Sequence, residues 1–303
     1  MMNRRSFLKN TTIISGGVVI APSLISAQSG WENEDDHLTI LHTNDTHSNI
    51  EPFPENHSRY AGKGGVANRF DMIQRIRKEE KNVLLLDAGD IFQGTPYFNK
   101  FGGVLEMKLM SYLGYDAGTM GNHDFDAGLE GFVRAQEYAK FPFLCSNYDF
   151  KNTPIYGLTE DTLVIQKGNI KVGLFGLGVE LDGLVPSLKF GETKYLDPIE
   201  VAKDKAKELK EKGCDLIICL SHLGYDFNDD QVSDLILAKK TKDIHLIIGG
   251  HTHTFLDKPT ETKNSVGETV LINQVGWAGI NLGRIDFEFK KRSFSKKEKL
   301  VIQ

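Results

Sequence analysis

The hydrophobic positions of this chain fall into short runs of strand type separated by stretches of helical spacing. Leu38-Thr39-Ile40-Leu41-His42-Thr43 alternates well enough to predict a strand. Val66 to Glu80 follows with Phe70, Ile73 and Ile76 on one side and charges on the other, which predicts a helix. Lys81 to Asp87 is apolar on both faces and predicts a central strand. Gly103 to Tyr112 has helical spacing, Tyr115 to Met120 is a short buried strand, and a helix is expected from near Asp126. Phe143 to Asn147 reads as a further strand.

The second half keeps the rhythm with one interruption. Thr162–Gln166 and Ile170–Gly176 flank Lys167-Gly168-Asn169, a hairpin signal, so the sheet must be mixed. A helix over Pro198 to Lys212, a strand over Asp215 to Leu220 and a helix over Asp230 to Lys240 come next. Strands at Ile244–Ile248, Thr269–Gln274 and Ile280–Phe289 follow, and Lys290 to Lys299 reads as a basic, frayed tail within 290–303. The fold class is α/β, with a folded body over about 38–289.

The first 27 residues break this pattern. A charged front (Asn3-Arg4-Arg5-Ser6-Phe7-Leu8-Lys9), a moderately apolar middle and a small-residue end at Ala27 form a signal-peptide pattern. The paired arginines resemble a twin-arginine signal, which implies export to the periplasm or beyond. The apolar run is too short and too rich in Gly and Thr to span a membrane, so no stable insertion is expected. Residues 28–37 read as a solvated linker. The net charge is −5 and becomes −8 once Arg4, Arg5 and Lys9 are removed, which disfavours a nucleic-acid polymer as partner. The three cysteines (Cys145, Cys214, Cys219) sit in or beside apolar runs and are expected as buried thiols.

Chemistry concentrates just beyond the predicted strands. Five of the nine histidines (His47, His123, His222, His251, His253) lie there, with Asp45, Asp90 and Asn122 at equivalent places. His37, His42, His57 and His245 lack that placement and read as packing residues. Carboxyl ends of strands are where open α/β sheets bind ligands. A set of imidazole, carboxylate and amide oxygen without thiolate suits Zn, Mn, Fe or Ni rather than Ca or an iron–sulfur cluster. Seven or eight ligands exceed the needs of one ion and imply two divalent metal ions.

Asp45-x-His47, Gly89-Asp90-x3-Gly94, Gly121-Asn122-His123-Asp124, Ser221-His222 and Gly250-His251-Thr252-His253, in that order, resemble the five blocks of the calcineurin-like metallophosphoesterases. The Leu-His-Thr-Asn-Asp-Thr-His start, the Asn-His-Asp-Phe-Asp form of the third block and Gln274-x-Gly276-x2-Gly279-x2-Leu282-Gly283 resemble the 5′-nucleotidase branch. The resemblance covers about Leu38 to Phe289. It implies a four-layer α/β/β/α sandwich of two mixed sheets. It also implies one metal held by Asp45, His47 and His253, a second by Asn122, His222 and His251, and Asp90 bridging both. His123 and Asp126 match the catalytic His-Asp pair of the family. The implied activity is hydrolysis of a small phosphoester, a nucleotide first, by metal-activated water.

Full-length 5′-nucleotidases of this branch carry a second, nucleobase-stacking domain. This sequence stops at Gln303, so a separate chain would have to supply that domain, or the substrate is a different ester. A 2′,3′-cyclic-nucleotide phosphodiesterase, a sugar-nucleotide hydrolase and a thiosulfohydrolase are the alternatives within the superfamily. A metal-binding or partner-binding module without catalysis is the alternative from another class.

Overall fold

A computed structural model describes residues 36–290 and 293–302. The signal-like segment and most of the linker expected at 1–37 lie outside the described residues. The strands are β1 (His37–Thr43), β2 (Val83–Asp87), β3 (Ala117–Gly118), β4 (Tyr148–Asp149), β5 (Thr162–Lys167), β6 (Ile170–Gly178) and β7 (Lys194–Tyr195). They continue with β8 (Leu216–His222), β9 (Leu246–Gly249), β10 (Thr260–Lys263), β11 (Thr269–Asn273), β12 (Asn281–Lys290) and β13 (Ser293–Ile302). The helices are α1 (Val66–Glu79), α2 (Pro96–Phe101), α3 (Val104–Leu113), α4 (Leu129–Gln136), α5 (Ser187–Phe190), α6 (Pro198–Glu211) and α7 (Asp234–Lys240).

Two sheets carry the fold. One has the order β13-β12-β1-β2-β3, the other β10-β11-β9-β8-β6-β5. Both are mixed: β1, β2 and β3 run parallel beside antiparallel β12, and β6, β8, β9 and β11 run parallel between antiparallel β5 and β10. The hairpin at Gly168-Asn169 produces the first of those antiparallel edges.

The alternation of side chains along each strand explains the layering. Leu38 and Ile40 of β1, Leu84 and Leu86 of β2, and Leu216, Ile218 and Leu220 of β8 share one core that fills the space between the sheets. The intervening residues point outward. Leu41, Val83 and Leu85 pack under α1, α3 and α4. Ile217, Cys219 and Ile247 pack under α6 and α7. Three separate cores define four layers, α/β/β/α. One polar pair crosses the central layer: Asn273 Nδ2 of β11 donates to His42 Nε2 of β1 at 2.9 Å.

Helix ends follow local chemistry. Asp197 caps α6 by accepting from Ile199 N (2.8 Å) and Glu200 N (3.1 Å), with Pro198 in the first turn. Ser233 caps α7, which therefore begins at Asp234 rather than near Asp230. Cys145, Cys214 and Cys219 are buried free thiols. No helix among the described residues is long and apolar enough to cross a membrane.

Three expectations are corrected. The basic tail is not frayed: 293–302 form β13, which pairs with β12 from Asn281↔Ile302 to Lys290↔Ser293. The charged run Lys296-Lys297-Glu298-Lys299 hid an edge strand, where charged residues are normal. Phe143–Asn147 does not form a strand of its own. It is pinned by single bridges, Gly118↔Phe143 and Leu144↔Glu160, as it passes the end of the sheet. Finally, no α-helix begins near Asp126: a 3-10 turn spans Asn122–Phe125, and α4 starts only at Leu129, after Gly128 at φ 71°.

Candidate metal centre

The parallel strands β1, β2, β3, β8 and β9 all end on the same side, and the loops beyond them converge there. The two loops after β1 and β2 continue the parallel pairing without being strands. Asp45 N donates to Gly89 O (2.8 Å), His47 N to Asp90 O (3.0 Å) and Ser48 N to Ile91 O (2.9 Å). That ladder fixes Asp45, His47 and Asp90 relative to one another.

The backbone of these loops is unusual. Asp45, His47, Asp90, His251 and His253 all have positive φ, between 46° and 71°. Left-handed backbone costs a non-glycine residue about 1–3 kcal/mol and persists only where surrounding contacts force it. Glycines relieve the crowding beside them. A Cβ on Gly121 would lie 2.1 Å from Asp90 Oδ1, and one on Gly250 would lie 2.7 Å from His222 Nδ1.

All seven residues expected as ligands are brought together. Asp45, His47, Asp90 and His253 form one group that could hold an ion, and Asp90, His222 and His251 form another. Within the first, His253 Nε2 is 3.3 Å from Asp45 Oδ1 and 3.0 Å from His47 Nε2, and His47 Nε2 is 3.8 Å from Asp90 Oδ2. Within the second, His222 Nε2 is 3.1 Å from Asp90 Oδ2, and His251 Nδ1 is 2.9 Å from Asn122 Oδ1. Asp90 belongs to both groups. One carboxylate facing two sets of nitrogen donors is the arrangement a bridging ligand needs.

The donor atoms fit divalent cations. His47 Nδ1 faces Phe92 O at 3.2 Å and His222 Nδ1 faces Ala88 O at 2.7 Å. A carbonyl can only accept, so each Nδ1 carries the proton and each Nε2 turns a lone pair inward, as in histidine metal sites generally. His222 Nε2 is fully buried and makes no hydrogen bond, yet it abuts a carboxylate oxygen. Two lone-pair atoms at that separation repel unless a cation lies between or beside them. Without a cation a second proton takes that place: burial pushes the His222 pKa down, but Asp90 and Asp45 outweigh it and lift it to about 10. Burial pushes Asp90 up, but His222, His47 and His123 hold it well below the carboxylate range. Burial holds His251 down at about 4 and also lowers His47, leaving neutral imidazoles suited to ligation.

His123 and Asp126 stand at the mouth of this centre. His123 Nδ1 lies 2.8 Å from Asp126 Oδ2, and its backbone N–H donates to Asp90 Oδ1 at 2.8 Å. The bond to Asp126 raises the His123 pKa above its ordinary value. The ring stands edge-on to that of His47, with centroids 5.3 Å apart.

Sequence reasoning passed over three supporting residues. Asp124, fully buried, accepts from Gly121 N (2.8 Å), Asp90 N (2.9 Å), Ile91 N (3.0 Å) and Phe92 N (3.1 Å), tying the loop after β3 to the loop after β2. Asn44 donates to Asp45 Oδ2 and to Gly276 O, both at 2.6 Å, and accepts from Val275 N at 2.9 Å. Gln274 accepts from Thr254 N and donates to Gly250 O, clamping both ends of the segment that carries His251 and His253. All three stand inside the motif blocks, where nothing local distinguishes a supporting residue from a turn residue.

A family model for calcineurin-like phosphoesterases matches residues 38–255. The chain is 33% identical over 305 residues to a 5′-nucleotidase of Homo sapiens, a match covering 93% of this chain and 50% of that protein. A 5′-nucleotidase precursor from Thermus thermophilus superimposes with TM-score 0.78 at 33% identity, over 88% of this chain and 55% of that one. The NAD nucleotidase of Haemophilus influenzae superimposes with TM-score 0.77 at 29% identity, over 88% and 56%. The chain thus spans about half the length of these relatives. With its five motif blocks converging on one edge of a two-sheet sandwich, the chain belongs to the calcineurin-like phosphoesterase family, in its 5′-nucleotidase branch.

Proposed function

We propose that this chain is an exported phosphoester hydrolase of the 5′-nucleotidase type, working with two divalent cations. The observation that carries the reading is Asp90, shared by two groups of ligating side chains that have no other residue in common. Asp45, His47 and His253 would hold one cation, Asn122, His222 and His251 the other, and Asp90 both. Asn122 contributes an oxygen without a charge, which keeps the centre cationic toward an anionic ester.

Bound there, two cations supply Lewis acidity at the phosphoryl oxygens and lower the pKa of water. The chain's own residues do the rest. The buried carboxylates of Asp45 and Asp90 and the inward Nε2 atoms of His47 and His222 set the site's shape before substrate arrives. His123, oriented by Asp126, which also raises its pKa, reaches toward the open side of the centre. As the oxygen of water joins phosphorus and the ester P–O bond breaks, the leaving oxygen takes a proton, which His123 is placed to give. Asp126 keeps the ring in one tautomer and balances its charge.

The substrate assignment to nucleotides rests on the names of the relatives, and export rests on the pattern of residues 1–27. Base stacking is worth ~1–3 kcal/mol per base, and a nucleobase-binding chain added in trans should raise the preference for AMP. Measured on the purified chain, kcat/KM for AMP should exceed that for p-nitrophenyl phosphate by less than a hundredfold, which is ~2.7 kcal/mol. Chelator should abolish both activities. Hydrolysis that survives complete metal removal would sink the dimetal reading.

A further inference from the structure

We propose that the cavity beside His251 receives the leaving group of the ester and admits an uncharged, hydroxylated one while excluding one that carries its own negative charge. The proposal rests on the hydrolytic reading above and adds to it the class of ester.

The cavity is about 820 Å³, within the range of small-molecule sites. His251 lines it and is at the same time within 2.9 Å of Asn122, so the cavity opens directly from the second group of ligating residues. An ester with its phosphorus at the centre has this space next to it for the rest of the molecule. Its walls are partly aromatic. Phe227 lies with its ring centroid 6.4 Å from that of His251, and Tyr195 also lines the cavity. Ring faces of this kind pack against the C–H faces of a sugar-like group.

The ionisable side chains lining the cavity are Glu180, Asp182, Asp197, Asp230, His251 and the phenol of Tyr195, with no lysine or arginine among them. Asp197 is committed to capping α6, whereas Glu180, Asp182 and Asp230 are exposed along the cavity. Carboxylates accept hydrogen bonds from hydroxyls and repel a second anion. The attraction at the metal centre is therefore local to the phosphoryl group, and a second negative group on the same substrate would meet like charge. Because these carboxylates are exposed, salt should weaken the effect.

Glycerol 3-phosphate and 3-phosphoglycerate test this, since they are close in size and release an uncharged and an anionic group respectively. With the full chain reconstituted with Mn²⁺ at low ionic strength, kcat/KM should favour glycerol 3-phosphate by roughly tenfold, as expected for like charges a few ångströms apart. The ratio should fall toward unity at about 0.5 M salt, and also in an Asp182→Asn/Asp230→Asn double variant. A ratio near one in the parent chain overturns the proposal. So does a ratio that neither salt nor substitution moves. If p-nitrophenyl phosphate is cleaved while the ratio is one, only the cavity assignment fails. If none of the three esters is cleaved, the hydrolytic reading fails and the cavity assignment with it.

Discussion

The indole of Trp277 lies nearly parallel to the imidazole of His253, with ring centroids 5.9 Å apart and planes 11° from coplanar. His253 has the most exposed side chain of the first ligating group, at 41%. Unlike His47 and His222, it has no carbonyl among the described residues to anchor its Nδ1. Trp277 supplies by stacking what the carbonyls supply elsewhere. Pairing of 254–256 with 274–276 holds the two rings together: Gly276 N donates to Thr254 O at 2.9 Å and Leu256 N to Gln274 O at 3.1 Å.

Trp277→Leu should therefore weaken retention of one metal of two, and Trp277→Phe should retain it better. The chain has two tryptophans, Trp31 and Trp277. In a Trp31→Phe background, indole fluorescence should respond to metal titration. An unchanged emission, with full metal content in Trp277→Leu, would remove the indole from this role.

Asp90→Asn should be more damaging to metal content than His47→Ala, because Asp90 belongs to both ligating groups. Metal analysis should show a fall from about two ions per chain to below one for Asp90→Asn. Retention of both ions would exclude bridging.

His123→Asn should keep its metals and lose ~10²–10⁴ in turnover, the usual worth of a positioned acid or base. Asp126→Asn should cost less, since the ring survives and loses only its partner at 2.8 Å. Single-turnover rates beside metal analysis test the ordering. Metal loss in His123→Asn would make it a ligand.

Asp124→Asn should act on stability instead. Asp124 accepts four backbone N–H bonds while fully buried, and an amide turns one of its acceptors into a donor facing those N–H groups. We expect a loss of ~2–4 kcal/mol in urea unfolding. Asp126→Asn, at a partly exposed site just beyond the same turn, should cost little by the same measurement.

Acid should destabilise the fold through His245, away from the metal centre. Its Nδ1 accepts from Ile217 N at 2.9 Å, and burial holds its pKa down at about 4 against an ordinary 6.5. Between those values the unfolded chain binds the extra proton. The stabilisation is thus fully present above pH 6.5 and is lost as pH falls through about 4, by up to roughly 3 kcal/mol. In His245→Gln the dependence of unfolding free energy on pH between 7 and 4 should flatten. An unchanged slope would assign the acid sensitivity elsewhere.

Most of the secondary structure, both mixed sheets' buried strands and all nine residues of the proposed site were legible in the sequence. Period-two alternation in β1, β2 and β8 and helical spacing in α1 and α6 are local signals, and motif residues placed just past apolar runs mark the active edge without any knowledge of packing. The chain alone could not decide what depends on distant partners. That Asp90 faces His222 is a relation between two sheets, as is the contact between His42 and Asn273. Asp124 reads as a turn residue until its four N–H donors are assembled from two loops more than thirty residues apart. The strand at 293–302 carries no apolar alternation, and only pairing with β12 makes it a strand. Asp and His tolerate left-handed backbone better than most residue types, but its adoption at Asp45, His47, Asp90, His251 and His253 together is not a local outcome. It is imposed by contacts between loops, which only the tertiary structure brings together.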